Sequence, residues 1–166
     1  RLANDRKAHP TVRDLALRLL DAAGPSDLAT AEYARRDAVN PPRSREQWTV
    51  ALRELGRALP NLAPGRAQRR AQTTQALLLL RTGDHDGAAA AVATLEAAGT
   101  TSATAELPDP LLPLVDGLAA MSAQPADRSR AIRAREQAEL RMQLPANRRM
   151  AAASILLAEL DAQLDS

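Results

Sequence analysis

The stretch LLLLRTGDHDGAAAAVATL, residues 77–95, joins two apolar segments through a polar corner, Gly83 to Asp86. Leu and Ala dominate both segments, and both residue types favour helices. Glycine readily adopts the left-handed conformation that ends a helix. The stretch therefore predicts a helical hairpin with its corner at Gly83, unless the Asp and His side chains of the corner form a small metal or catalytic site.

The composition of the whole chain favours helices as well. Of its 166 residues, 37 are Ala and 26 are Leu, whereas there are five Val, two Ile, one Trp, one Tyr and no Phe. Strands prefer β-branched and aromatic side chains, so we expect an all-α fold with more than about 60% helix and no sheet. We expect a single domain over residues 1–166, because this length supports one core but hardly two.

Capping and breaking residues divide the chain into about eight helices, and their short connections predict antiparallel neighbours. Thr11 and Ser44 begin capping boxes, with an acidic or amide side chain three residues on. Helices are predicted over about residues 27–39, 66–81, 86–98 and 127–143. Four further helices are predicted to begin after Thr11, Ser44, Asp109 and Pro145. Gly99 is expected to end the fifth helix, and residues 100–106 are expected to form a long loop. The expected apolar stripe of the last helix is Met150, Ala153, Leu157, Leu160 and Leu164.

The hairpin at Gly83 resembles the turn and second helix of a tetratricopeptide repeat. That family places Gly at the end of the first helix, a small Ala early in the second and a larger apolar residue four positions later. Gly83, Ala88 and Val92 match these positions, and Ala76 and Leu79 match a small and a bulky position of the first helix. The resemblance implies a right-handed α-solenoid of stacked hairpins.

A second, degenerate hairpin has the same offsets at Gly24, Ala29 and Tyr33. The two copies lie 59 residues apart, which is not a multiple of the family's period of about 34 residues. The usual Trp and Leu positions of the first helix fall on Gln72 and Gln75, and Thr100 stands where the closing Pro is expected. These departures leave an irregular helical bundle as the alternative fold.

The residues that could carry chemistry are few. His85 stands between Asp84 and Asp86, but adjacent residues of one turn rarely converge on one metal ion, so we interpret the corner as a solvated turn. The chain has no cysteine, no glycine-rich phosphate loop, no His-Glu-x-x-His and no Gly-x-Ser-x-Gly. We expect no enzymatic activity, no cofactor and no metal.

Two arginine clusters, at residues 66–70 and 128–135, raise the question of an anionic partner. Arginine suits phosphates, yet no aromatic residues are interleaved for base stacking, and the formal net charge is only +2. The second cluster also runs into Glu136 and Glu139. We therefore do not expect nucleic acid binding, and we interpret the clusters as solvated helix faces. The alternative is that they bind an acidic peptide or another anionic partner.

The resemblance implies that the first helix of each hairpin lines the concave, ligand-facing side. In the hairpin at Gly83 this helix begins at Arg66, and its Leu run is needed for the core. The predicted partner-binding residues are the remaining polar side chains, Arg66, Arg69, Arg70, Gln72 and Thr73. Charge reversal at Arg69 and Arg70 is predicted to weaken partner binding without unfolding the domain.

The function expected from the sequence is therefore a non-enzymatic interaction module for a peptide or partner protein. The alternatives are a helical sensory or regulatory domain of a transcription regulator or signalling protein, and an accessory domain of a cell-wall or secretion protein. The chain begins at Arg1 without a signal-peptide pattern and has no run of about 18 apolar residues. We expect a fragment of a longer, bacterial protein with no membrane span, in the cytoplasm rather than the periplasm, and of open oligomeric state.

Overall fold

A computed structural model describes residues 26–40, 44–101, 109–144, 147 and 150–166. Within these ranges 82% of the residues are helical and none lies in a strand. The seven α-helices of the described ranges are α1 (Asp27–Val39), α2 (Arg45–Ala58), α3 (Arg66–Thr82), α4 (His85–Thr101), α5 (Leu111–Ser122), α6 (Arg128–Met142) and α7 (Ala151–Leu164). The prediction of an all-α fold is confirmed for this part of the chain.

The caps explain most helix boundaries. Ser26 and Ser44 accept hydrogen bonds from the backbone N–H groups of Ala29 (3.1 Å) and Gln47 (3.3 Å), and each satisfies one of the amides that a helix start leaves unpaired. Helix α1 has the predicted bounds, and α3 is one residue longer than predicted. The helix expected after Thr11, which is also the first helix of the hairpin at Gly24, lies outside the described residues.

The predicted end of α4 at Gly99 is wrong. The helix continues through Gly99 to Thr101, so the expected loop does not begin at Thr100. A glycine inside a helix costs about 1 kcal/mol relative to alanine, but it does not by itself reverse the chain. Residues 102–106, the rest of the expected loop, lie outside the described part.

The helices form one continuous core. Each helix packs against the next along the chain, the pairs α1–α3, α3–α5 and α5–α7 also touch, and α1 contacts α7. The core consists almost wholly of Ala, Leu and Val, so small side chains separate the helices at many contacts. Fully buried members include Leu55, Ala76, Leu78, Leu118 and Leu156.

All five residues of the predicted stripe lie in the core or pack against it, and Leu156, which the stripe omits, is also fully buried. Ala153, Leu156 and Leu160 are buried, whereas Leu157 and Leu164 are only partly buried. A helix of Ala and Leu offers several apolar stripes, and the packing of α7 against α5 and α6 selects one of them.

Candidate binding site

The corner between α3 and α4 is a pair of helix caps. Gly83 has φ 88° and ψ 11°, and the N–H groups of Gly83 and Asp84 donate to the carbonyls of Leu80 (3.0 Å) and Leu79 (2.9 Å). The Asp84 carboxylate then accepts from the N–H of Gly87 at 2.9 Å and caps α4. The predicted hairpin corner is confirmed, and Asp84 serves the backbone there.

His85 is half-buried beside this cap. Among the described residues, no group of three or more His, Cys, Asp or Glu side chains could hold a metal ion. The hydrogen bonds at this corner cap the backbone of the two helices.

Substitution of Gly83 by alanine is expected to lower the free energy of unfolding by about 1 kcal/mol, because alanine is strained at positive φ. An added Cβ would also lie 3.0 Å from Nη2 of Arg45, which donates to the Thr82 carbonyl. Urea unfolding measures the loss, and His85→Ala serves as the control that should change stability little. Stoichiometric zinc or nickel binding that disappears in His85→Ala would contradict the interpretation of the corner as a structural turn.

The predicted partner-binding residues of α3 differ in their exposure. Arg66 is exposed, and Arg69, Arg70 and Gln72 are partly buried. Thr73 is only 3% exposed, and its hydroxyl donates to the Arg69 carbonyl at 3.1 Å. Thr73 therefore lies in the core, where it cannot contact a ligand directly.

Arg70 contacts the protein itself. Its Nη2 lies 3.3 Å from the carboxylate of Glu32, a side chain of α1 that is nearly inaccessible to solvent. A buried pair of this kind ties two helices together, and removal of one partner leaves the other charge uncompensated. Of the predicted set, Arg66 is the exposed position, so its charge can be changed with the least effect on packing.

A more open surface lies between α1 and α2. The groove between these two helices has a volume of about 480 Å³. Its lining residues are Thr30, Tyr33, Ala34 and Asp37 of α1 and Glu46, Gln47, Val50, Ala51 and Glu54 of α2. These positions follow helical spacing on both elements, so each helix presents one continuous face to the groove.

The floor of the groove is apolar and part of it is exposed. Val50 is 43% exposed, and Ala34 and Ala51, which also line the groove, are buried. Tyr33, the single tyrosine of the chain, is partly buried, and the guanidinium of Arg36 lies 5.1 Å from its ring centre. The floor thus offers contact area to an apolar side chain.

The sequence did not predict this groove. Two signals for it are present in the sequence: Val50 stands between Glu46 and Glu54 at intervals of four residues, and the single tyrosine stands four positions before Asp37. Neither signal identifies a site before the relative placement of α1 and α2 is known, because the groove belongs to the pair of helices.

A smaller cleft of about 230 Å³ lies among α4, α5 and α6. The guanidinium of Arg130 forms hydrogen bonds of 2.5 and 3.1 Å with Asp116, which raise the pKa of Arg130. Arg141 forms a similar bidentate pair with Glu96, at 2.8 and 3.2 Å. The charged groups of this region are therefore paired across helices, and they stabilise the packing of α4, α5 and α6.

None of the protein-family models, curated proteins or solved structures compared with this chain matches it. The resemblance to tetratricopeptide repeats therefore stays a prediction. No helix in the described ranges is long and apolar enough to cross a membrane.

Proposed function

We propose that this protein is a non-enzymatic interaction module that binds a peptide, or a segment of a partner protein, in the groove between α1 and α2. The observation that carries the proposal is the open groove of about 480 Å³ with Val50 exposed in its floor. Binding pockets are commonly concave, about 300–1,000 Å³ in volume and apolar, with a few polar groups that fix orientation. Tyrosine, here Tyr33, is enriched at protein interfaces.

The proposed architecture for this module is a tetratricopeptide-like solenoid. Sequential packing of the helices and the glycine-capped corner at Gly83 support it. The contact between α1 and α7 supports the alternative, an irregular bundle, because units of a solenoid touch only their neighbours. The interaction proposal needs only the α1–α2 groove and holds for either arrangement.

Helix α3 is the second location at which a partner, here an acidic peptide, could bind. Arg66 is exposed, and arginine forms charge-assisted hydrogen bonds with carboxylates. Because Arg70 pairs with Glu32 and Arg66 is exposed, a charge reversal that tests this location is better made at Arg66.

The groove volume also favours one alternative function, a sensory or regulatory domain that binds a small effector. Small molecules occupy cavities of the same size as those that receive two or three side chains. In both functions the ligand, a peptide or a small effector, contacts Val50. Binding of either ligand can therefore be tested with the same substitution at Val50.

Selection from a displayed library of random linear peptides tests the proposed function. We expect enriched peptides to bind the wild-type domain and to lose at least about tenfold in affinity for Val50→Arg, because a charged side chain would fill the apolar floor. Ile132→Arg on α6 is the matched control, since Ile132 is 46% exposed and lies outside the groove.

Equal binding of the selected peptides to wild type and Val50→Arg would contradict the groove assignment. Loss of binding in Arg66→Glu, with Val50→Arg unaffected, would move the site to α3. Failure of the library to yield any peptide that binds the domain would contradict the interaction function.

A further inference from the structure

We propose that the α1–α2 groove receives a basic amphipathic segment: an apolar side chain on the Val50 floor, flanked by Lys or Arg side chains that pair with carboxylates of the groove. The inference rests on the proposed function and names the chemistry of the partner. It is the opposite of the acidic partner expected at α3.

The groove is acidic on a chain that is basic overall. Asp37, Glu46 and Glu54 contribute three carboxylates to its lining, and no Lys or Arg is present among the described lining residues. The formal net charge of the whole chain is +2. Arg36 pairs with Asp37, and Arg53 and Arg57 pair with Glu54, so the charged side chains that line the groove are acidic and arginines beside it offset their charge. Complementary charge steers association and excludes partners of the wrong sign.

The carboxylates on α2 are accessible to a new cation. Glu54 pairs with Arg53 at 3.3 Å and with Arg57 at 3.0 Å, and these arginine side chains are 60% and 70% exposed. Exposed pairs of this kind contribute little stability, so an incoming Lys or Arg can replace them at small cost. Glu46 is exposed in the first turn of α2.

The spacing of these groups defines the partner. Glu46, Val50 and Glu54 follow one another at intervals of four residues, and each interval advances about 6 Å along the helix axis. The two carboxylates thus lie about 12 Å apart along α2, with the apolar contact between them. A helical partner matches this with basic residues about eight positions apart and an apolar residue midway, and an extended partner with basic residues about four apart.

Three synthetic helical peptides test the inference. The first carries Lys-x-x-x-Leu-x-x-x-Lys, the second replaces both Lys by Glu, and the third replaces Leu by Ala. Fluorescence anisotropy with labelled peptides gives each Kd. We expect the Lys–Leu peptide to bind at least about tenfold more tightly than either of the others, since it alone satisfies both the charge and the apolar floor.

Variants of the protein provide the reciprocal measurement. We expect Glu46→Lys/Glu54→Lys to weaken the Lys–Leu peptide by at least about tenfold and to strengthen the Glu-substituted peptide. Glu136→Lys/Asp165→Lys changes the net charge equally at exposed positions outside the groove, and it should leave both affinities unchanged. Far-UV circular dichroism verifies that both double variants stay folded.

Equal affinity of the Lys and Glu peptides for the wild type would overturn the inference. So would an equal effect of the two double variants, because that result reports net charge alone. If library peptides without basic residues bind the groove and are lost in Val50→Arg, the interaction function stands and the basic partner is excluded.

Discussion

Replacement of Arg81 by alanine is expected to lower the free energy of unfolding by about 2–3 kcal/mol, because it removes one partner of a partly buried ion pair. The Arg81 side chain is 10% exposed, and its Nη1 and Nη2 donate to the two carboxylate oxygens of Glu159 at 2.5 and 2.6 Å. This bidentate pair connects the end of α3 to α7, across 78 positions of sequence.

The same guanidinium contacts two further helices. Its Nε donates to the carbonyl of Ala38 at the end of α1, at 3.3 Å, and it lies 5.5 Å from the ring centre of Trp48 on α2. The Trp48 indole N–H in turn donates to the carbonyl of Asp37 at 3.0 Å. Loss of Arg81 would leave the Ala38 carbonyl without this donor and Glu159, whose side chain is 27% exposed, without its counter-charge.

Guanidinium chloride unfolding, followed by far-UV circular dichroism, measures this loss. Arg53→Ala is the control, since Arg53 also pairs with a glutamate but is exposed, and it should cost less than about 0.5 kcal/mol. Glu159→Ala should also destabilise, and the double variant should lose less than the sum of the two single losses. An Arg81→Ala protein with a free energy of unfolding within about 1 kcal/mol of the wild-type value would contradict this stabilising role of Arg81.

Features that depend on local sequence could be predicted. A serine hydroxyl at the start of α2 and a glycine at the end of α3 satisfy backbone groups within a few residues, so the chain near Ser44 and Gly83 is sufficient to place them. The composition rich in Ala and Leu likewise settles the helical class, because propensity acts on each residue separately.

Features that depend on helix placement could not be predicted. In the sequence, Arg81 is a basic residue in the last turn of a helix, and nothing nearby indicates a partner 78 positions away. Thr73 is polar in sequence and was assigned to a ligand-facing surface, yet its hydroxyl bonds to its own helix, and the side chain is buried. The α1–α2 groove could not be predicted for the same reason, because Val50 lines a groove only where α1 lies beside α2.

Substitution of Gly117 by leucine is expected to lower the free energy of unfolding by about 3 kcal/mol, because it overpacks a closed contact among three helices. A Cβ added at Gly117 on α5 would lie 2.7 Å from Cδ2 of Leu160 on α7 and 3.3 Å from Cβ of Ala134 on α6. Leu160 is 0% exposed and Ala134 4% exposed, so neither side chain can move into solvent.

Gly56 provides the matched control, because it is also a glycine inside a helix. It is exposed on α2, and a Cβ built there meets no heavy atom within 4 Å. Gly56→Leu should therefore stabilise the protein by about 0.5–1 kcal/mol through helix propensity alone. Thermal unfolding of the two variants should give Tm shifts of opposite sign. Both variants replace a helical glycine by leucine, so residue type and secondary structure alone do not explain such a difference.

A compensating change distinguishes overpacking from any other cost of leucine at position 117. Leu160→Ala alone creates a cavity and should cost about 2–5 kcal/mol. In Gly117→Leu/Leu160→Ala the new side chain can occupy the space that Leu160 vacates, so the combined loss should be smaller than the sum of the single losses. Additive losses, or a Gly117→Leu protein as stable as Gly56→Leu, would show that α5, α6 and α7 do not meet as closely at Gly117 as the structure places them.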